Sequence, residues 1–134
     1  MLWARLTGPG GDTMSVANLH ATAGDATAAA REVSRAAETA IEWSAGEPLL
    51  FGGDLNLRPA RNPAAFERLR ERFDLSAPTA PDAIDHLLVR GLETVEPGRR
   101  LPPQWREREH PAAPPGRVVR LSDHAPVVLC ASMR

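Results

Sequence analysis

The stretch LLFGGDLNLRP, residues 49–59, begins as a buried strand and leaves it through two glycines. After Leu49, Leu50 and Phe51 the chain passes Gly52 and Gly53 and then places a carboxylate and a carboxamide, Asp54 and Asn56, at the exit. Positions i and i+2 of an extended chain point to the same side, so Asp54 and Asn56 are expected to face one common space.

Working upstream, MSVANLHA (14–21) alternates, with Val16, Asn18 and His20 on one side and Ala17 and Leu19 on the other, as a strand does. It follows a shorter candidate strand, LWARLT, across a GPGGD turn, which together read as a hairpin. From Asp25, a suitable N-cap, the alanine-rich segment ATAAAREVSRAAETAIEW places Ala29, Val33, Ala36, Ala40 and Trp43 on roughly one helical face. Gly46 and Pro48 stop that helix. Strand, helix and strand in this order make a βαβ unit, whose two parallel strands end at the same sheet edge. His20 and Asp54 both lie at those ends, where open α/β sheets bind ligands.

Downstream, NPAAFERLRERF (62–73) is a second helix capped by Asn62, with Pro63 in its first turn and Phe66, Leu69 and Phe73 as its apolar stripe. AIDHLLVRGL (83–92) reads as a buried strand. The proline- and arginine-rich stretch 97–116 reads as a loop with at most one short strand, and GRVVRLSDHAPVVLCAS supplies two closing strands broken at SDH. Within the loop, Arg99, Arg100, Arg106 and Arg108 surround Trp105. Nucleobases stacking on Trp105 are one reading; a solvated loop with Trp105 tucked against the sheet is the favoured one.

Composition bounds the partners. The 134 residues are 43% hydrophobic and 25% charged, an ordinary globular balance for one domain. A net charge of -1 argues against a broad positive field of the kind that coats nucleic acid, so a polyanion must be gripped locally. The lone Cys130 lies in the apolar run APVVLCA and reads as a small hydrophobe, which excludes a disulfide framework and fits a reducing, cytoplasmic setting. No apolar run has the length of a membrane span or of a signal peptide core.

Four pairs carry the chemistry: Asn18 with His20, Asp54 with Asn56, Asp85 with His86, and Asp123 with His124. Asp85 in an apolar strand needs a cation or donor as partner, whereas His86, sharing a side with Ile84 and Leu88, reads as structural. Converging carboxylates and amides form an oxygen-rich site suited to magnesium or manganese, and no thiolate cluster argues for zinc.

The ordered set VANLH, GGDLN, AIDHLLV and LSDHAPV resembles the second half of the endonuclease/exonuclease/phosphatase (DNase I-like) superfamily, from about residue 14 to the C-terminus. The resemblance implies an α/β fold, part of a two-sheet sandwich whose mixed sheet carries flanking helices. It implies divalent-metal-dependent hydrolysis of phosphate esters with Mg²⁺ or Mn²⁺. Asp54 then matches the aspartate that activates water, and Asn56 the asparagine that holds phosphate or metal. Asp85 matches the partner of the last histidine, His124 the stabiliser of phosphate charge, and Asp123 a metal ligand. His20 matches a phosphate-contacting histidine, with Asn18 beside it as a supporting contact. The metal set implied is Asp123, Asp54 and Asn56.

The family's early asparagine or aspartate and its metal-binding glutamate have no counterpart here, since the first glutamate, Glu32, falls in the helix pattern. Residues 1–134 are therefore expected to be one domain lacking its N-terminal half. Its partners would be a phosphate-ester substrate, with nucleic acid among the candidates, and a complementing half or a second copy covering the exposed sheet. The runner-up is a catalytically inactive half-domain serving as a binding or assembly module. A calcineurin-like reading of GGDLN needs a later Gly-Asn-His element that the sequence lacks.

Overall fold

The structure is a computed structural model that describes residues 1–109, 112, 114 and 116–133. In chain order it contains β1 (Leu2–Thr7), β2 (Thr13–His20), α1 (Ala26–Ser44), β3 (Leu49–Asp54), α2 (Pro63–Phe73), β4 (Asp85–Arg90) and β5 (Leu92–Arg100). A short 3-10 helix (Pro103–Trp105), β6 (Glu107–Glu109), β7 (Val118–Arg120) and β8 (Val127–Met133) follow. Strands β1 to β4 form a sheet in that order, with β2 and β3 parallel and the outer pairs antiparallel. The parallel pair with α1 between is the expected βαβ unit, set in a mixed sheet.

Strand alternation divides this sheet into two unlike faces. Ala17, Leu49, Phe51 and Leu88 meet Ala29, Val33, Ala37 and Ala40 of α1 and Leu69 and Phe73 of α2 in one buried cluster. Small alanines on α1 let the helix lie close to the sheet, and the larger Phe51 and Phe73 fill the space beside it. Val16, Asn18, Leu50 and Leu87 point to the other face, where Ala125 and Val127 line the same cleft. Along the β1 edge that face stays open, with Leu2 74% and Leu6 51% exposed.

Helix α1 begins where expected. The Asp25 side chain accepts hydrogen bonds from the Thr27 and Ala28 amides, each at 2.9 Å, satisfying two donors that a helix N-terminus leaves unpaired. Asp25→Ala should lower unfolding stability by about 1 kcal/mol, read as a shifted urea midpoint with unchanged slope. An unchanged midpoint would mean that water replaces the cap at no cost.

Four expectations are corrected. Trp43 is not a core residue of α1 but stands 46% exposed, edge-on against Trp3 with ring centroids 5.9 Å apart, because β1 is the outermost strand and needs cover. Asn62 occupies the cap position of α2 without capping it; its Oδ1 instead accepts from the Arg58 amide at 3.0 Å, closing the loop after β3. The strand expected over 83–92 is divided at Gly91, which has φ +69, and β5 continues to Arg100 where a loop was expected from 97. Pro97 and Gly98 are tolerated there because the β5–β8 register shifts between Glu96 and Arg99. Cys130 is exposed on β8 rather than packed inside. Residues 110, 111, 113 and 115 of the proline-rich stretch lie outside the described residues.

Candidate active site

Register brings the first three groups into one row. His20 at the end of β2 pairs with Asp54 at the end of β3, and Asp54 pairs with Asp85 at the start of β4. Directly paired residues share a face, so all three side chains leave the sheet on the side away from the helices. The segment before β8 then carries His124 over the row, where its Nδ1 lies 2.8 and 3.0 Å from the two oxygens of Asp85. That contact supplies the partner which Asp85, in an apolar strand, requires.

Asp54 is the centre of the group. Its Oδ1 accepts the Asn56 amide at 3.1 Å, while Oδ2 stands 3.7 Å from His20 Nε2 and 3.8 Å from His124 Nε2. Both separations exceed hydrogen-bond length, so two imidazoles flank the oxygen without capturing it. Asn56 does not share a strand side with Asp54 as expected. The strand ends at Asp54 and Asn56 takes a left-handed conformation, φ +50, so the two are joined by a local turn. The turn directs Asn56 Nδ2 to the Ala21 carbonyl at 2.9 Å, which ties the end of β3 to the loop after His20.

The remaining predicted residues stand at the rim. Asp123 has a 90% exposed side chain, with Oδ2 3.9 Å from His124 Nε2. Asn18 lies above Gly53, its Oδ1 only 2.2 Å from where an alanine methyl would sit. A Cβ on Gly52 would likewise fall 2.0 Å from the His86 carbonyl oxygen, so neither position has room for a side chain. His86 faces the helix side, 1% exposed, its Nε2 donating to the Leu57 and Ala83 carbonyls at 3.0 Å and its Nδ1 3.3 Å from the Thr79 amide. Burial holds it neutral by pushing its pKa down, and it serves to lock the loops around the site.

Several contributors were not legible in the sequence. Glu32 accepts from the Thr22 amide at 2.8 Å and the Thr22 hydroxyl at 2.7 Å, fixing the loop after His20; the Thr22 hydrogen bonds hold its carboxyl below the usual value. Its ten-residue separation from Thr22 follows no motif. Arg58, which the sequence did not single out, joins Arg100 and Arg106, which it did, in a cleft beside Asp85 and His124, and Trp105, expected to tuck against the sheet, is 57% exposed.

Donor chemistry fits a hard cation. Donor atoms of Asp54, Asp85 and His124 lie within 4.8 Å of one another. Asp85 and His124 are bonded to each other, however, which leaves Asp54 Oδ2, the Asn56 side-chain oxygen and the exposed Asp123 carboxylate as oxygens without a hydrogen-bond donor among the described residues. One or two carboxylates with retained waters is how magnesium is commonly held.

No family profile and no curated protein matches the sequence. Solved structures do match: the chain superposes on beta toxin from Staphylococcus aureus with a TM-score of 0.61 at 13% identity, covering 98% of this chain and 56% of that one. A beta toxin variant with bound magnesium ions gives a TM-score of 0.57 at 12% identity, covering 98% of this chain and 57% of the other. The fold is DNase I-like. The chain spans little more than half the length of these neighbours, and the expected α/β class with a mixed sheet and helices on its face is the one observed.

The ring of His124 has a measurable signature. Its hydrogen bond to Asp85 raises its pKa above 6.5, partial burial opposes the shift, and the charges of Asp85, Asp54 and Asp123 add to it. Titrated by NMR in metal-free buffer, His124 should therefore protonate above pH 6.5, and Asp85→Asn should return it towards that value. Because the folded pKa is the higher one, the stability this contact contributes is present in full below the unfolded pKa and is lost as pH rises through the folded one. A His124 midpoint insensitive to Asp85→Asn would mean that the contact does not form in solution.

Proposed function

We propose that the chain is a divalent-metal-dependent phosphoesterase, hydrolysing phosphodiesters or phosphomonoesters at the His20–Asp54–Asp85 row. The observation that carries this reading is the Asp54 carboxylate held between two imidazoles, one of them oriented by Asp85. Asp54 Oδ2 takes a proton from the attacking water. His124, protonated, donates from Nε2 to an oxygen of the scissile phosphate, while Asp85 keeps the other proton on Nδ1 and fixes the ring plane. His20, with a 77% exposed side chain, contacts the phosphate and protonates the leaving oxygen, and Asn18 supports the phosphate from β2.

Asp54, Asn56 and Asp123 would hold the Mg²⁺ or Mn²⁺. When bound, the cation lowers the pKa of water and offsets charge on the phosphate. Beta toxin with bound magnesium ions supports that choice of metal. Since the chain spans 56% of its structural neighbour, a further anionic ligand from an N-terminal half or a second copy is part of the proposal. A second reading, an inactive half-domain used for binding or assembly, is favoured by the exposed Leu2 and Leu6 on the open sheet face.

The test is hydrolysis of bis(p-nitrophenyl) phosphate and p-nitrophenyl phosphate with Mg²⁺ or Mn²⁺, with and without EDTA, followed by DNA, RNA, phospholipid and inositol phosphate. The isolated chain should turn over slowly, and addition of an N-terminal DNase I-like half should raise the rate about a hundredfold or more by restoring the missing charged ligand. Complex formation without a rise supports the assembly module. Robust chelator-sensitive turnover by the chain alone would show that its own residues complete the metal site.

A further inference from the structure

Three arginines from separate segments meet beside the candidate site. Arg58 follows β3, Arg100 ends β5 and Arg106 follows the 3-10 helix, yet all three line one cleft of about 310 Å³ whose wall includes Asp85 and His124. Four arginines elsewhere are paired with carboxylates: Arg5 with Glu47, Arg70 with Glu71, Arg72 with Glu38, Arg120 with Glu107. In the cleft no guanidinium makes an ion pair among the described residues.

Arg58 Nη1 donates to the Asp82 carbonyl at 2.9 Å, and Arg106 Nη1 donates to the Asp123 carbonyl. Both bonds go to backbone oxygens, which orient the guanidinium without neutralising it. The Arg106 Nε is buried with no partner, and the Arg100 side chain has no hydrogen-bond or ion-pair partner among the described residues. Asp82 and Asp123 line the same cleft, and among the described residues the carboxylate of neither makes an ion pair with the arginines. Asp85 is committed to His124. Two backbone-oriented guanidinium groups and the Arg100 side chain thus keep unused donors in a cleft whose aspartates pair with none of them, and an anion can join the three. Planar guanidinium forks match the oxygens of phosphate in particular.

We propose that this cleft is a subsite for a second, non-reacting phosphate of the substrate. The inference deepens the phosphoester reading and rests on it for the identity of the reacting phosphate. It narrows the substrate class to esters that carry two phosphates, one placed against Asp54 and His124 and the other against Arg58, Arg100 and Arg106. Such a phosphate comes either from a neighbouring linkage in a nucleic-acid strand or from a separate monoester on a small polyol. Arginine recognition is common to both.

Inorganic phosphate is the first probe, titrated into the purified chain in metal-free buffer while the arginine Nε–H signals are followed by NMR. Saturable shifts at Arg58, Arg100 and Arg106 are expected, with affinity about tenfold weaker in Arg100→Gln, the loss of one charge-assisted contact. Asp54→Asn should keep this binding, so failure of the catalytic reading leaves the subsite intact and visible. No saturable binding, or equal binding in Arg58→Gln and Arg100→Gln, overturns the proposal.

A 5′-phosphorylated dinucleotide and a bisphosphorylated polyol, each competed against phosphate, separate the two sources. Displacement that depends on Arg100 identifies the substrate type, and displacement by neither overturns the two-phosphate assignment. In a hydrolysis assay Arg100→Gln should raise KM for the competent two-phosphate ester and leave bis(p-nitrophenyl) phosphate unaffected. Equal loss on both esters would show that Arg100 supports the fold rather than the second phosphate.

Discussion

Gly53→Ala is expected to abolish the native fold of the β2–β3 pair. The added methyl would lie 2.2 Å from the Leu19 carbonyl oxygen and 2.2 Å from Asn18 Oδ1, at a backbone φ of +116 that side-chain-bearing residues rarely adopt. Asn18 can rotate away, but the Leu19 carbonyl belongs to the neighbouring strand and moves only if the parallel pair opens. That opening displaces His20 from Asp54 as well, so stability and site geometry fail together. A loss of about 4 kcal/mol or more is expected, enough to unfold a domain of ordinary marginal stability. Gly24→Ala is the matched control: its φ is +80 but nothing lies within 4 Å of the added methyl, so the cost should be near 1 kcal/mol. Urea unfolding followed by circular dichroism, with an amide NMR spectrum of each variant, reads both. Gly53→Ala with a native spectrum and an unshifted midpoint would show that the close approach of β2 to β3 is not what the glycine is for.

Asp54→Asn should remove nearly all metal-dependent hydrolysis while leaving the fold in place. An amide can still accept the Asn56 N–H bond at Oδ1, so the turn survives, but it takes no proton from water and presents a neutral ligand to the cation. Loss of a positioned base is worth about a hundred- to ten-thousandfold, and loss of a charged metal ligand adds to it. The two imidazoles lose their negative neighbour, so the pKa of His124 should fall in the same variant, an effect visible without any turnover. Steady-state kinetics with Mn²⁺ and an NMR titration of His124 test the two halves separately. Activity retained within tenfold would remove Asp54 as the base and shift attention to a carboxylate outside the row.

Much of the fold was written in local pattern. The βαβ unit was legible because the Asp25 cap, the alanine stripe of α1 and the Gly46–Pro48 stop are all short-range signals that agree with one another. The gathering of His20 and Asp54 followed from topology, since parallel strands joined by a helix must end at the same edge. Other positions misled. Trp43 fell on the apolar face of α1 in the helical count, yet depth along a sheet depends on which strand is outermost, and that is a matter of strand order rather than of sequence near Trp43.

The sequence by itself determined the βαβ unit and the second helix, and that the chemistry-bearing residues sit at strand ends. Tertiary structure alone decided that Asp54 and Asn56 are joined by a left-handed turn rather than a shared strand face, because one backbone angle at Asn56 redirects its side chain to Ala21. It formed the Asp85–His124 contact that the family resemblance implied, across 39 residues of chain, and alone set three arginines from separate segments beside them. Loops carry little periodicity, and where they converge is fixed by the packing of the strands they leave, a long-range outcome that no short stretch of chain encodes.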